Sequence, residues 1–465
     1  MVKINQSISI YIFILLNLSC LLFVAVATTT PVHLNSEFEN ININNNNNNN
    51  NNDNNNFYYT YDNYVTTQYK SNTHPLKLKS NSDRSSSSSS SSKKDKPTTG
   101  SSSDDDDVAI FKIVQITDTH FGEGEGTDWG PEQDANSTRV METILALEQP
   151  DLVVFTGDLI TGNNIINNST DYWKMAVGVA MKMGIPWATV FGNHDDLASG
   201  VNGTKFDLLE YDISLGSYSQ FGPNNIPGVS NYYIPIYDKW TNDIEVVLWM
   251  FDSGDGECPR FPKEEKEKEK KPNQNQQEKE KVEWMDPSRI TSSSSSDNVP
   301  YLCNFYITGN QVLWYYQTAK ELYAGADNLP LAFAYFHVPI RQYMWVWNQQ
   351  TCYGSNNDSV ACQAVDGGLY YAFESIGDVK MVSVGHNHGN DYCGLFGSVE
   401  LCYGRHSGYG GYGTWERGAR VIQVTKQKGG PISYDTWLTF ETGERLYHQP
   451  PHHPDPSHPQ QSCTS

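Results

Sequence analysis

The tetrad Gly385-His386-Asn387-His388 stands directly behind the β-rich run Lys380 to Val384 and puts two imidazoles into one short phrase. Working outward from it, His337 follows the apolar run Leu331 to Phe336, and Gly192-Asn193-His194-Asp195 follows Trp187 to Phe191. Gly157-Asp158 follows Leu152 to Thr156, and Asp118-Thr119-His120 follows Phe111 to Thr117. Each of these short runs, apolar and β-prone, therefore ends on a polar phrase. Between and beyond them, Arg139 to Leu147 (with Val140, Ile144 and Leu147 at helical spacing), Asp171 to Met183 and Asn310 to Tyr323 read as helices, and Val246 to Phe251 as a further strand. Strand–helix alternation predicts an α/β domain. In such sheets ligands bind in the crevice beyond the carboxyl ends of the strands, so the five phrases are expected to build one site.

Taken singly, Asp-x-His and Gly-Asp are ordinary polar turns, and a lone histidine such as His337 is more often a satisfied core residue. In series they offer Asp118, His120, Asp158, Asn193, His337, His386 and His388, a set of oxygens and imidazole nitrogens without a thiolate. That mixture suits Fe, Zn or Mn, whereas an oxygen-only shell suits Mg or Ca. Asp158 has two carboxylate oxygens and can bridge two ions. Asn193 offers an amide oxygen, a weak ligand that makes sense beside stronger ones. His194 remains for proton work.

The order and types of these residues resemble the calcineurin-like metallophosphoesterase superfamily. Phe251-Asp252-Ser253-Gly254-Asp255, Phe336-His337-Val338-Pro339, Asn390-Asp391-Tyr392-Cys393-Gly394 and the segment from Leu401-Cys402-Tyr403-Gly404-Arg405 to Gly413 look like its shorter purple-acid-phosphatase-like members in plants and fungi. The resemblance runs from Val108 to Tyr447 and implies two mixed β-sheets sandwiched between helices, a four-layer arrangement. It implies one metal on Asp118, His120, Asp158 and His388, and a second on Asp158, Asn193, His337 and His386. It also implies that His194 approaches the leaving-group oxygen, with Asp195 orienting it; Arg405 or His406 is a candidate phosphate contact. The expected activity is hydrolysis of phosphate monoesters, small or on protein, by a hydroxide held between the two metals. The alternatives are a phosphodiesterase on the same core and a non-catalytic binding protein on a retired enzyme scaffold. The purple enzymes carry a tyrosine ligand where this chain has Thr161, and lack the histidine present here as His120, so a colourless protein is expected.

Outside the domain the composition changes. Lys3 precedes an apolar stretch from Ile8 to Ala27 that closes on Ala25-Val26-Ala27, the pattern of a cleaved signal peptide over 1–27. Cleavage would leave no stable membrane span and would send the chain into the secretory pathway, to an extracellular or lysosomal-type compartment. Residues 28–107, with an asparagine run, a serine run and Asp104 to Asp107, are expected to be disordered. The same expectation covers a Lys/Glu- and Ser-rich insertion at about 258–298 and a Pro/His tail over 448–465. The formal charge of −22 argues against a nucleic-acid-coating surface. In a secreted context, Cys352 with Cys362 and Cys393 with Cys402 are the nearest pairs and the expected disulfides, and Asn136, Asn168, Asn202 and Asn357 open glycosylation sequons.

Overall fold

The computed structural model describes residues 74–80, 83–84, 107–196, 201–254, 306–460 and 463. Every described residue belongs to one unit, within Thr60–Ser465. The expected signal peptide, the asparagine run and the Lys/Glu-rich insertion lie outside the described residues.

One sheet contains β2 (Lys79–Ser80), β3 (Val108–Ile116), β4 (Leu152–Thr156), β5 (Trp187–Val190), β13 (Gly418–Gln427), β14 (Ile432–Phe440) and β15 (Arg445–Leu446). Its order is β15-β14-β13-β3-β4-β5, with β2 paired to β3. The other contains β1 (Leu76–Lys77), β6 (Tyr232–Tyr237), β7 (Ile244–Met250), β8 (Leu331–Tyr335), β9 (Cys352–Tyr353), β10 (Val379–Val384), β11 (Cys393–Phe396), β12 (Val399–Tyr403) and β16 (Pro451–His452). Its order is β1-β6-β7-β8-β10-β12-β11-β9-β16. Both sheets are mixed: β3, β4 and β5 run parallel while β13 opposes β3, and β7, β8, β10 and β12 run parallel while β11 opposes β12. Strands β4 and β8 are buried along their whole length, which is why they read as unbroken apolar runs rather than alternating ones.

Six helices flank the sheets among the described residues: α1 (Gly130–Glu148), α2 (Ser169–Met183), α3 (Lys205–Ser214), α4 (Gly309–Leu322), α5 (Gln342–Gln349) and α6 (Leu369–Ile376). Local sequence sets their ends. Thr204 with Asp207 and Thr308 with Gln311 close reciprocal capping boxes, and Gly184 ends α2 at φ 69°. Three apolar clusters fill the spaces between layers. Val140, Ile144, Trp173 and Phe191 pack α1 to α3 on the first sheet; Trp249, Tyr315, Phe336 and Phe373 pack α4 to α6 on the second. Phe111, Ile113, Leu248, Met250, Phe333 and Ile422 lie between the sheets. This is the helix–sheet–sheet–helix order expected from the sequence.

Three expectations about the periphery need correction. Order begins before Val108, because Leu76 and Leu78 are buried and carry β1 and β2 onto the two sheets, although polar sequence surrounds them. The tail is not wholly disordered either: β16 pairs antiparallel with β9. Finally, Cys362 is bonded to Cys463 across 101 residues rather than to Cys352. Cys352 lies on β9, buried and free, and its Sγ points at the Val346 carbonyl oxygen, 3.6 Å away. Cys393 and Cys402 face each other across the β11–β12 pair and do form a disulfide. Gln460 accompanies the tail disulfide, accepting from Val360 N–H at 3.0 Å and donating to its carbonyl at 2.8 Å.

Candidate metal centre

Strands β3, β4 and β5 of one sheet and β8 and β10 of the other deliver the five phrases to one place. Tight turns are needed to aim the side chains back over the strand ends. Asp118, His120, Asp158 and His386 all adopt positive φ, between 50° and 76°, a conformation that costs L-residues energy and concentrates at functional sites. Gly157 (φ 86°) and Gly192 leave room for them: a Cβ on Gly192 would stand 2.1 Å from Asp158 Oδ1.

Two trios of ligand atoms result, Asp118 with His120 and His388, and Asp158 with His337 and His386, each able to surround one ion. His120 Nε2 lies 3.2 Å from His388 Nε2, and His388 Nε2 lies 3.5 Å from Asp118 Oδ1. In the second trio, His337 Nε2 lies 3.0 Å from Asp158 Oδ2. Asn193 Oδ1 joins it, 3.2 Å from His337 Nε2 and 2.9 Å from His386 Nδ1. Asp158 Oδ2 is also 3.7 Å from His120 Nε2, so one carboxylate oxygen faces both trios.

The outward nitrogens of three histidines are already committed. His337 Nδ1 lies 2.8 Å from the Thr156 carbonyl, His388 Nδ1 lies 2.8 Å from the Tyr412 carbonyl, and His120 Nδ1 lies 3.0 Å from Thr161 Oγ1. A carbonyl accepts only from N–H, so Nδ1 carries a hydrogen in both His337 and His388, and each Nε2 faces the centre. Such partners orient the imidazole ligands of metal sites. Burial, helped by neighbouring histidines, pushes His120 and His386 down to about 3, so both rings are neutral as ligands must be. His337 is buried too, but the Asp158 and Asp118 carboxylates outweigh that cost and push it up to about 9.

Residues 111–390 match the model of the calcineurin-like phosphoesterase family. The chain belongs to that family. A relative from Arabidopsis thaliana, "Probable inactive purple acid phosphatase 28", is 30% identical over 354 residues, covering 70% of this chain and 77% of its own length. "Probable inactive purple acid phosphatase 29" of the same plant is 29% identical over 363 residues, covering 72% and 82%. "Phosphatase DCR2" of Saccharomyces cerevisiae is 29% identical over 321 residues, 63% of this chain and 47% of its own. Among solved structures, a dimetal phosphatase from Danio rerio covers 70% of this chain at 12% identity with a TM-score of 0.39.

Within this phosphoesterase the structure reassigns three residues read from the sequence. Asp195 was expected to orient His194, yet its carboxylate accepts four backbone N–H groups instead: Gly192 at 2.7 Å, Asp158 at 3.0 Å, Leu159 at 2.8 Å and Ile160 at 3.1 Å. It is a clamp on the turn that carries Asp158. The His194 ring has its Nδ1 buried without a hydrogen-bond partner. Arg405, the candidate phosphate contact, has its guanidinium paired with Asp391 at 2.5 Å and donates to the Glu416 carbonyl at 2.8 Å. His406 is buried beneath the site, its ring 3.9 Å from that of His388 and its Nε2 on the Gly410 carbonyl. Neither lines the cleft above the candidate ligands, a hollow of about 550 Å³ walled by Glu123, Thr161, His194, Asp358, Ser359 and Tyr412 besides His120, Asp158, His386 and His388. Sequence reasoning missed Glu123, Asp358 and Tyr412, which carry no motif of their own.

Proposed function

We propose that this chain is an exported phosphatase that hydrolyses phosphate monoesters with a pair of metal ions, Fe, Zn or Mn, held by Asp118, His120, Asp158 and His388 on one side and Asp158, Asn193, His337 and His386 on the other. The carrying observation is Asp158 Oδ2, set 3.0 Å from His337 Nε2 and 3.7 Å from His120 Nε2, where a single carboxylate can serve both ions. Bound there, such a pair supplies Lewis acidity toward phosphoryl oxygens and acidifies water at neutral pH.

The protein's own groups supply the rest. Asp158 Oδ1 accepts the His194 N–H at 2.8 Å, which ties the backbone of the proton donor to the shared carboxylate. The His194 ring lines the cleft, with its centroid 5.2 Å from that of His120, and holds a proton for the departing alkoxide. Asn387 and Ser359 bring amide and hydroxyl groups to the same wall. Export rests on the Lys3 and Ile8 to Ala27 pattern.

A second reading has support: the Arabidopsis relatives bear names with "probable inactive", which fits a binding protein on a retired scaffold. Against it stands a ligand set with no member missing. The two separate in one experiment. Protein reconstituted with Mn, Zn or Fe is assayed on para-nitrophenyl phosphate and its bis ester, beside His194→Ala. Metal-dependent monoester turnover that falls in His194→Ala supports the enzyme; equal, near-zero turnover in both proteins establishes the retired scaffold. Faster cleavage of the bis ester makes it a diesterase.

A further inference from the structure

Beyond the phosphoryl group, the substrate meets the outer wall of the cleft, and that wall has an unusual charge for an enzyme acting on anions. Among the described residues lining it there is no lysine or arginine, while Glu123 and Asp358 bring two carboxylates that belong to neither ligand trio. The nearby arginines are committed elsewhere: in the adjoining loop Arg405 to Asp391 and Arg417 to the Gly413 carbonyl at 3.0 Å, and on α1 Arg139 to Glu441 at 3.0 Å.

Between the two carboxylates lies an aromatic face. The glycine-rich loop presses directly onto the ligands, since a Cβ on Gly411 would stand 2.3 Å from His388 Cε1. This close approach lays the Tyr412 ring on His388, centroids 4.0 Å apart and planes 11° from parallel, with the phenol still half exposed to the cleft. Glu123 Oε2 holds the loop by accepting from Gly411 N–H and from Gln133 Nε2, and Asp358 Oδ2 accepts from the Tyr412 hydroxyl. Both carboxylates are thereby fixed at the rim beside a π face. An aromatic ring flanked by carboxylates is the chemistry that recognises an organic ammonium ion.

We infer that the preferred substrate is a phosphate monoester whose alcohol carries an ammonium group, an amino-alcohol phosphate, with Tyr412, Glu123 and Asp358 as its specificity-determining side chains. The inference rests on the phosphatase reading above for the chemistry, but the recognition itself is measurable without turnover. The reaction centre binds the phosphate end and the rim binds the cation. A second anionic group at the rim is repelled.

The test compares choline phosphate with its neutral carbon isostere, dimethylbutyl phosphate, on the metal-reconstituted full chain. The expected kcat/KM ratio is about tenfold or more in favour of the cation, from a cation–π contact and two nearby carboxylates. It falls toward unity in Glu123→Gln and Asp358→Asn, which keep an acceptor for the loop's own hydrogen bonds. A ratio near one in the parent, or one unmoved in both variants, overturns the inference. Calorimetry with the two non-hydrolysable phosphonates separates the two failures. A cation preference in binding without turnover upholds the recognition and refutes the phosphatase. Turnover of both esters without preference does the reverse.

Discussion

Replacing Asp195 by Asn tests whether that residue is a clamp on the metal-bearing turn or a partner of His194. In the parent, its two oxygens accept four buried N–H groups at 2.7–3.1 Å. An asparagine has one oxygen, so whichever way the amide sits, its NH2 faces two donors and two hydrogen bonds are lost. Burial and the neighbouring Asp158 push the Asp195 carboxyl up to about 7, so above that pH it is a charged acceptor; there a bond from a buried donor contributes about 1.5–3 kcal/mol and the loss is ~3–6 kcal/mol. That is a large share of the roughly 5–15 kcal/mol that holds a typical domain folded. For a domain of this size it lowers the melting temperature by roughly 5–9 °C. The released turn also carries Asp158, so the variant should bind its metals more weakly. The assay is thermal melting of metal-free protein, followed by metal quantification after reconstitution. A variant that melts within about 2 °C of the parent, retains its metals and loses only kcat would refute the clamp and restore the orienting role.

Other outcomes follow from the same geometry. His337, pushed up to about 9, carries a proton at neutral pH and must shed it to bind a cation, while His120 and His386 at about 3 have none to shed. Metal loading at pH 7–8 should therefore release about one proton from these three rings, and affinity should weaken as pH falls from about 9, which calorimetry in buffers of different ionisation enthalpy measures. His194→Ala should lower kcat about a hundred- to ten-thousand-fold with metal content unchanged. Reconstitution with iron should leave the protein colourless, because Thr161 bonds the His120 ring where a tyrosinate ligand would give visible absorption; a strong visible band would contradict this. Arg405→Met should destabilise by up to about 3–5 kcal/mol, because the buried Asp391 carboxylate loses its ion pair and keeps only the Ser355 and Gln449 hydrogen bonds, without raising KM in a steady-state assay.

The sequence disclosed the candidate ligand cluster because each member sits within a few residues of a strand end, where a local pattern is legible. Asp118, Asp158, Asn193, His337 and His386 needed only the apolar run before them to be placed. What it hid depends on contacts between distant segments. Asp195 stands beside His194 in the chain, yet its acceptors serve residues 158–160. Arg405 stands in a segment read as offering a phosphate contact, yet it is bound to Asp391. Leu76 lies in a strand of two residues and Leu78 between that strand and another of two, too short for a period to register against the polar runs around them. Cys463 lies 101 residues from its partner, a distance that spacing cannot suggest. Glu123, Asp358 and Tyr412 come from three loops and acquire a joint role only when the glycine loop folds over His388.

The return of the tail to Cys362 makes the cleft answerable to its surroundings. The stretch bearing Asp358 and Ser359 is moored on its far side by that covalent seam and by the paired Gln460–Val360 bonds. A crosslink closing so long a loop contributes on the order of 4–5 kcal/mol in the chain-entropy account. An oxidising milieu keeps the mooring fast; a thiol-rich one casts it off and loosens the rim while the candidate ligands stay where they are.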